Sequence, residues 1–503
     1  MAAVVVLLVA AETWPTHSRY LFSWDSANFA FAISRIDIAM HRPHPPGYLG
    51  YVLAGRSLAA LTHDSNAALI LWNVLALSCA GVLMAWLGAS TITGKSGAFA
   101  AAVLLVTSPL VWFYASVAEI YVSELLVTLA IACAAWAALK GSVRAMHWLA
   151  AALACAAFFK LSAMALMVPV AAFAWYRGPS GGRMSSALLL AALLGVVGAI
   201  FLTAEPHLVR VVWVHFTGAT AQSRLIGGAP DIRIGPALNR NARDTFTASL
   251  AALGFMNGCG FLAWLVADRR LPQGLEWPFV ALWSMPWLAE LVFVHIGKPG
   301  YILPLFPLAC IVLANFYARR SPVVLLTIVV LQVVANLAYV TLLSPPASNA
   351  ETRKRYADKT LLERMASDLQ PLTFPTRATI VAADDRIDKL LALRRTTCPA
   401  GDWVVVAGVE PIDWRRVMYY LPFAQAIHVL PDGTAAFIGQ NGDFREVTES
   451  GTSIASDCGL LWIGDENPHN TSAADGRAVT SIGWLRPSGS GMVTRGAVMW
   501  TPR

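Results

Sequence analysis

Apolar residues fall in long blocks at roughly 67–90, 97–115, 120–139, 146–160, 161–176, 184–204, 246–267, 277–295, 300–318 and 321–343, broken by short basic or Pro/Gly-rich connections. About 20 consecutive apolar residues are needed for a helix to span a bilayer. The pattern therefore predicts an α-helical polytopic membrane protein with about ten or eleven transmembrane helices. The two blocks meeting at Lys160 are each short, which predicts either a thin hairpin or a broken helix. Met1–Ala11 is too short to cross and has no basic flank, so it reads as a trimmed first helix or a signal-peptide remnant. Glu12–Asn66 has helical apolar spacing, many aromatics and several histidines, but no clean span.

Past Pro345-Pro346 the pattern changes to that of a soluble α/β domain. Ala378–Ala382, Trp403–Ala407, Ala426–Leu430, Ala435–Ile438 and Leu460–Ile463 read as short strands. Tyr356–Leu369 and the stretch around Arg415–Leu421 read as helices. The expected organisation is a membrane domain over 1–344, with outer loops at 12–66 and 205–245, followed by an extracytoplasmic domain over 345–503.

Basic residues fix the expected orientation. Lys95, Lys140 with Arg144, Arg177 with Arg183, Arg269 with Arg270, and Arg319 with Arg320 recur at every second connection. The positive-inside rule places these connections in the cytoplasm, provided that 146–176 crosses twice. Glu12–Asn66, the turn at Lys160, Glu205–Thr245, the turn at His295–Gly300 and the tail then lie on the opposite face of a cytoplasmic (inner) membrane.

Composition agrees with the pattern. Of 503 residues, 57% are hydrophobic and 13% charged, against about 25% charged in a typical soluble chain. The net charge of +7 is largely accounted for by residues at the ends of apolar blocks, which argues against nucleic acid as a partner. Five of the seven cysteines lie in or beside apolar blocks; Cys398 and Cys458 lie in the tail, as a disulfide or as two thiols. None has metal-ligand spacing.

Polar residues held next to a membrane are where chemistry is expected. The first outer loop carries Asp25, Asp37, His41, Arg42 and His44, and the loop at 205–245 carries Arg210, His215, Arg224, Arg233, Arg240 and Arg243. Arginine on an outer face runs against the orientation rule, and its planar fork of donors suits a phosphate or pyrophosphate. The plain alternative is a solvated loop paired with Glu205, Asp231 and Asp244. Lys160 reads either as a snorkelling helix-end lysine or as a fixed charge facing a lipid-linked phosphate. His295 and Lys298 allow the same two readings. Glu119 and Glu124 read as exposed helix-end acids or, for Glu119 above all, as a polar notch beside Trp112 and Tyr114. Asp25 reads as a base on the outer face or as a helix N-cap.

The segment Trp24-Asp25-Ser26-Ala27-Asn28-Phe29-Ala30 followed by His44-Pro45-Pro46-Gly47-Tyr48 resembles the first outer loop of protein O-mannosyltransferase-like members of the GT-C glycosyltransferase superfamily. Ser108-Pro109, Trp112 and Ala118-Glu119-Ile120-Tyr121 are similar to a second family stretch, and Lys298-Pro299-Gly300-Tyr301-Ile302-Leu303-Pro304 to a third. Tyr419–Pro422 after Asp413-Trp414-Arg415 resembles an element of the family's tails. Family members often carry a second acid three residues after the first Asp; Asn28 stands there. No carboxylate pair supports a divalent metal, and the cofactor is left unassigned.

The resemblance implies a sugar donor on a polyprenyl phosphate and a protein, lipid or glycan acceptor on the non-cytoplasmic face. A phosphate leaving group departs as a stable anion and needs fixed positive charge, while the acceptor hydroxyl needs a carboxylate within hydrogen-bond reach. Asp25 is the expected base of an inverting transfer. His44, Glu119, Lys160, Arg224, His295, Lys298 and Tyr301 are the expected substrate-binding residues, with Arg224, Lys160, His295 and Lys298 on the donor phosphate. The competing readings are a transporter or lipid flippase, and a non-catalytic GT-C-like scaffold. No inverted repeat with matching broken helices favours the transporter.

Overall fold

The computed structural model describes residues 2–92, 94–217, 236–272, 274–294, 298–342, 376–397, 403–407, 412–429 and 435–439, together with strand residues between 444 and 502. Two compact units emerge. One comprises Met1–His17, Pro46–Leu208 and Pro230–Ile380; the other comprises Ser18–Pro45, Val209–Ala229 and Val381–Arg503.

The first unit is a helical bundle. Its elements are α1 (Ala2–Thr13), α3 (Leu49–Thr62), α4 (Ser65–Thr91), α5 (Lys95–Val106), α6 (Pro109–Ser116), α7 (Tyr121–Leu139), α8 (Val143–Phe159), α9 (Leu161–Arg177), α10 (Arg183–Ala204), α12 (Pro236–Ala267), α13 (Trp277–Ala289), α14 (Phe306–Ala318) and α15 (Pro322–Leu342). Among the described residues six helices are long and apolar enough to cross a membrane, and a seventh arises if α5 and α6, bent by 55°, form one span. Four shorter apolar helices, at Ala2–Thr16, Val143–Phe159, Leu161–Arg177 and Asn257–Ala267, complete the set. The bend between α5 and α6 falls at Ser108-Pro109, where Pro109 cannot donate a backbone hydrogen bond and Ser108 is held extended. Helix α7 buries residues nearly all round, α4 leaves one stripe through Leu75, Cys79, Trp86 and Ser90 exposed, and α10 is largely exposed apolar surface, as a lipid-facing helix would be.

The short blocks at Lys160 resolve as two helices broken at that residue: Lys160 closes α8 and opens α9 with extended backbone. Helix α12 is kinked at Gly254, whose φ of +67° is a left-handed conformation suited to glycine.

The second unit contains α2 (Trp24–Ser34), α11 (Leu208–Thr217) as the chain enters it, α16 (Arg377–Thr397), α17 (Trp414–Tyr420) and strands β1 (Trp403–Ala407), β2 (Gln425–Val429), β3 (Ala435–Ile438), β4 (Phe444–Glu446), β5 (Thr452–Ala455), β6 (Gly459–Ile463), β7 (Thr471–Ala473), β8 (Thr480–Ser481), β9 (Gly489–Thr494) and β10 (Ala497–Pro502). A six-stranded sheet runs β4-β3-β2-β1-β6-β8, and a four-stranded one β5-β10-β9-β7. Central β1 pairs in parallel with both β2 and β6, so Val405 lies opposite Ala426 on one side and Leu461 on the other. That double pairing explains its unbroken Val-Val-Val run.

The expected strand at Ala378–Ala382 is overturned: these residues open α16. Ile380, Ala383, Ile387 and Leu390 are buried at helical spacing, and this longer 3.6-residue stripe outweighs the local β-branched run. The other four expected strands form, within a residue or so at their ends. Tyr356–Leu369, Cys398 and Cys458 lie outside the described residues.

The core of this unit gathers Ile387, Leu390, Trp403, Val405, Trp414, Val417, Leu421, Ala426, Leu461 and Ile463, with Tyr20, Trp24 and Phe31 of the first loop packed against it. Ser18 Oγ and the backbone N–H groups of Arg19 and Tyr20 all donate to Asp384 at 2.9–3.1 Å. Burial pushes the Asp384 pKa up, and these donors oppose the shift. Ser18–Pro45 of the first loop are thus an integral part of the second unit.

Candidate functional site

Candidate residues gather in two places, one in each unit. In the second unit, Ser23 caps α2: its side chain accepts from the Ser26 N–H, and Ser26 reciprocates. Asp25 is therefore not the N-cap, and the capping reading of that residue is overturned. It sits in the first turn of α2, where the helix dipole favours a carboxylate. Three residues on, Asn28 is fully buried, and its Oδ1 accepts from Arg415 Nε at 2.7 Å.

The chain then makes a turn at Ile38–Met40, capped by Asp37, and closes it on His41 in the left-handed conformation (φ 56°). His44 follows, with Nδ1 3.5 Å from Asp25 Oδ1. The ring of His215 on α11 lies 5.1 Å from that of His41 and 6.5 Å from that of His44, measured between centroids. Burial, then the nearby His44, His215 and Arg415, hold the His41 pKa well below the usual imidazole range, with Asp25 opposing. Burial, then His44, lower that of His215 to about 4. His41 and His215 are thus neutral imidazoles at physiological pH.

In the first unit, Lys298 Nζ donates to Glu119 Oε1 at 2.7 Å, and Lys160 Nζ to Glu124 Oε2 at 2.7 Å. Glu119 is 2% exposed and Glu124 not at all. Burial overturns the reading of either as an exposed helix-end acid. It also overturns the reading of Lys160 as a snorkelling lysine, since that residue is buried and ion-paired. Lys160 lies 4.2 Å from the centroid of the Tyr301 ring, and Tyr301 leans on Tyr121 with centroids 5.3 Å apart. The Ala-Glu-x-Tyr stretch and the Lys-Pro-Gly-Tyr turn thus form one constellation. A Cβ at Gly300 would come within 2.4 Å of Tyr121, so only glycine permits that approach. Ionisable groups buried and paired inside an apolar bundle are a functional-site hypothesis by default.

Arg224 and His295 lie outside the described residues. Among the described residues no three His, Cys, Asp or Glu are placed to hold a metal ion. Sequence reasoning missed Arg415, a charged residue fully buried between Trp414 and the first loop. The Asp-Trp-Arg-Arg run was its signal, two adjacent arginines opening a short buried helix.

No protein-family model matches the chain, and neither does any curated protein. Solved structures do. The crystal structure of ArnT from Cupriavidus metallidurans bound to undecaprenyl phosphate superposes with a TM-score of 0.56 at 15% identity, covering 85% of this chain and 86% of that one. The apo state of the same protein gives a TM-score of 0.50 at 15% identity, covering 85% of each chain. The chain has the fold of ArnT. This is a polytopic helical membrane fold of the kind expected from the sequence, and the likeness to ArnT extends over most of both chains.

Proposed function

We propose that the protein is a GT-C-type glycosyltransferase that moves a sugar from a polyprenyl-phosphate-linked donor to an acceptor hydroxyl on the non-cytoplasmic face of the inner membrane. The observation that carries this reading is the fold-level likeness to an ArnT structure holding undecaprenyl phosphate. The motifs that resemble protein O-mannosyltransferase-like members give the finer reading within that class.

In the proposed reaction the acceptor oxygen attacks the anomeric carbon while the bond from that carbon to the phosphate oxygen breaks. The electron pair leaves with the phosphate, and the acceptor proton passes to Asp25. Support for Asp25 comes from His44 Nδ1, 3.5 Å from its carboxylate, and from the neutral His41 and His215 nearby. One carboxylate suffices for inversion, whereas a retaining double displacement would use a second close to it; the position three residues on is Asn28, engaged by Arg415. The donor phosphate is assigned to Arg224, Lys160, His295 and Lys298. Of the two described, Lys298 keeps 30% of its side chain exposed, while Lys160 keeps 5% and is paired with Glu124, which favours Lys298 as the accessible cation. His44, Glu119 and Tyr301 are assigned to substrate binding.

The test is release of undecaprenyl phosphate from a panel of undecaprenyl-phosphate-linked hexoses by the purified protein, with delipidated envelope extract as acceptor source. Release coupled to labelled acceptor supports the reading. Donor translocation without release would point to a flippase, and donor binding with neither would point to a scaffold.

A further inference from the structure

Arg415 is 1% exposed, yet it carries a charge that burial, then the nearby Arg42, weaken only to a pKa of about 9. Burying a guanidinium is unfavourable unless its donors are engaged. Nε donates to Asn28 Oδ1 at 2.7 Å, while Nη2 donates to the backbone carbonyls of Met40 at 2.6 Å and His41 at 3.2 Å. The guanidinium also lies over the Phe31 ring at 5.0 Å. One side chain thus ties the buried face of α2, the helix bearing Asp25, to the turn that leads into His44. The fastened turn ends at His41, a left-handed non-glycine residue of the kind that persists only where its surroundings hold it. Two carbonyls and a side-chain amide at three angles suit a planar fork of donors and not a single ammonium.

Building on the assignment of Asp25 as base, we propose that Arg415 is a positioning residue for transfer: it holds the 38–44 turn against α2 so that His44 faces Asp25. In that role Arg415 acts through the Asp25–His44 pair. The same geometry explains how Asn28 serves where a second acid would stand, since its amide oxygen is the α2 anchor for the fork.

The experiment compares wild type with R415K, R415Q and D25N in the full-length purified protein. It reads kcat, KM and the pH profile of kcat by undecaprenyl phosphate release, using whichever undecaprenyl-phosphate-linked hexose of the panel turns over. Expected for both Arg415 variants is a kcat at least tenfold lower with donor KM within about threefold of wild type, the signature of lost transition-state alignment. The acid limb of the kcat profile moves to higher pH, because a carboxylate that loses its imidazole partner holds its proton more tightly. Lysine restores the charge but not the fork, so R415K does not recover wild-type turnover. Wild-type kcat and an unmoved acid limb in R415K and R415Q overturn the proposal if D25N is slow. A wild-type rate in D25N overturns the base assignment and this inference with it. Loss of folded protein in both Arg415 variants also overturns it, by assigning Arg415 to stability alone.

Discussion

Lys298 Nζ donates to Glu119 Oε1 at 2.7 Å, joining two motifs 179 residues apart in sequence. With the neighbouring Lys160–Glu124 pair, this places two carboxylates and two ammonium groups inside a predominantly apolar bundle. The two pairs differ in accessibility, and the difference has measurable consequences.

Lys160 and Glu124 are 5% and 0% exposed, so removing one partner leaves a buried charge uncompensated. E124A or K160A is expected to destabilise the protein by about 3–5 kcal/mol, whereas the apolar double variant E124L/K160M recovers most of that loss. Unfolding in detergent measures it. The partly exposed Lys298 behaves differently. K298A is expected to weaken binding of undecaprenyl phosphate by about 1.5–3 kcal/mol, the range for a hydrogen bond to a charged group. If K298A binds undecaprenyl phosphate like wild type, its assignment to the donor phosphate is wrong.

G300A probes the constellation without touching charge. The added methyl would meet Tyr121 at 2.4 and 2.7 Å and Tyr114 at 2.8 Å. An expected loss of about 1–3 kcal/mol follows from overpacking a closed site. An unchanged melting temperature would show that the turn at 298–301 yields without resistance.

His41 and His215 are held below the ordinary imidazole pKa of about 6.5 in the folded protein. The unfolded chain therefore binds more protons than the folded one below that pH. Stability from the neutral rings is full above about pH 6.5 and is lost as pH falls, for His215 over the window down to about 4. Melting temperature should drop across that window. H41N removes one titrating ring while tolerating the left-handed backbone, and should flatten the drop. An equally steep fall in H41N would mean that His41 does not report the burial described.

The apolar helices were legible because a bilayer imposes a length and a composition that a single sequence displays directly, although among the described residues six, or seven with the bent pair, are long enough to cross where ten or eleven were expected. Even the break at Lys160 was readable from two short blocks. What local pattern could not reveal was partnership. Nothing near Trp24 or Phe31 announces that these rings pack on Trp414 and Tyr419, nearly 400 residues later. The acids at 119 and 124 look like helix ends until their lysines, 179 and 36 residues away respectively, are placed beside them. Helix α16 was misread because a short β-branched run outvoted the longer stripe that includes Ile387 and Leu390. The motifs around Asp25, Glu119 and Lys298 did mark the residues that the fold brings into contact with charged or aromatic partners.

Topology is tested independently. The alternating basic connections predict that the tail lies outside the cytoplasm. A reporter active only there, fused after Arg503, should be active; activity of a cytoplasmic reporter alone at that position would contradict the orientation.

The most direct test of the central claim is undecaprenyl phosphate release by wild type and D25N from the same undecaprenyl-phosphate-linked hexose. Asparagine preserves the size of the side chain, and the cap at Ser23 is untouched, so folding and undecaprenyl phosphate binding should stay at wild-type levels. With wild type active, the rate in D25N should fall by about 10²–10⁴-fold, the usual contribution of a positioned proton acceptor. D25N turning over at the wild-type rate would contradict Asp25 as base, and a wild type that releases no undecaprenyl phosphate from any donor in the panel would contradict glycosyl transfer itself.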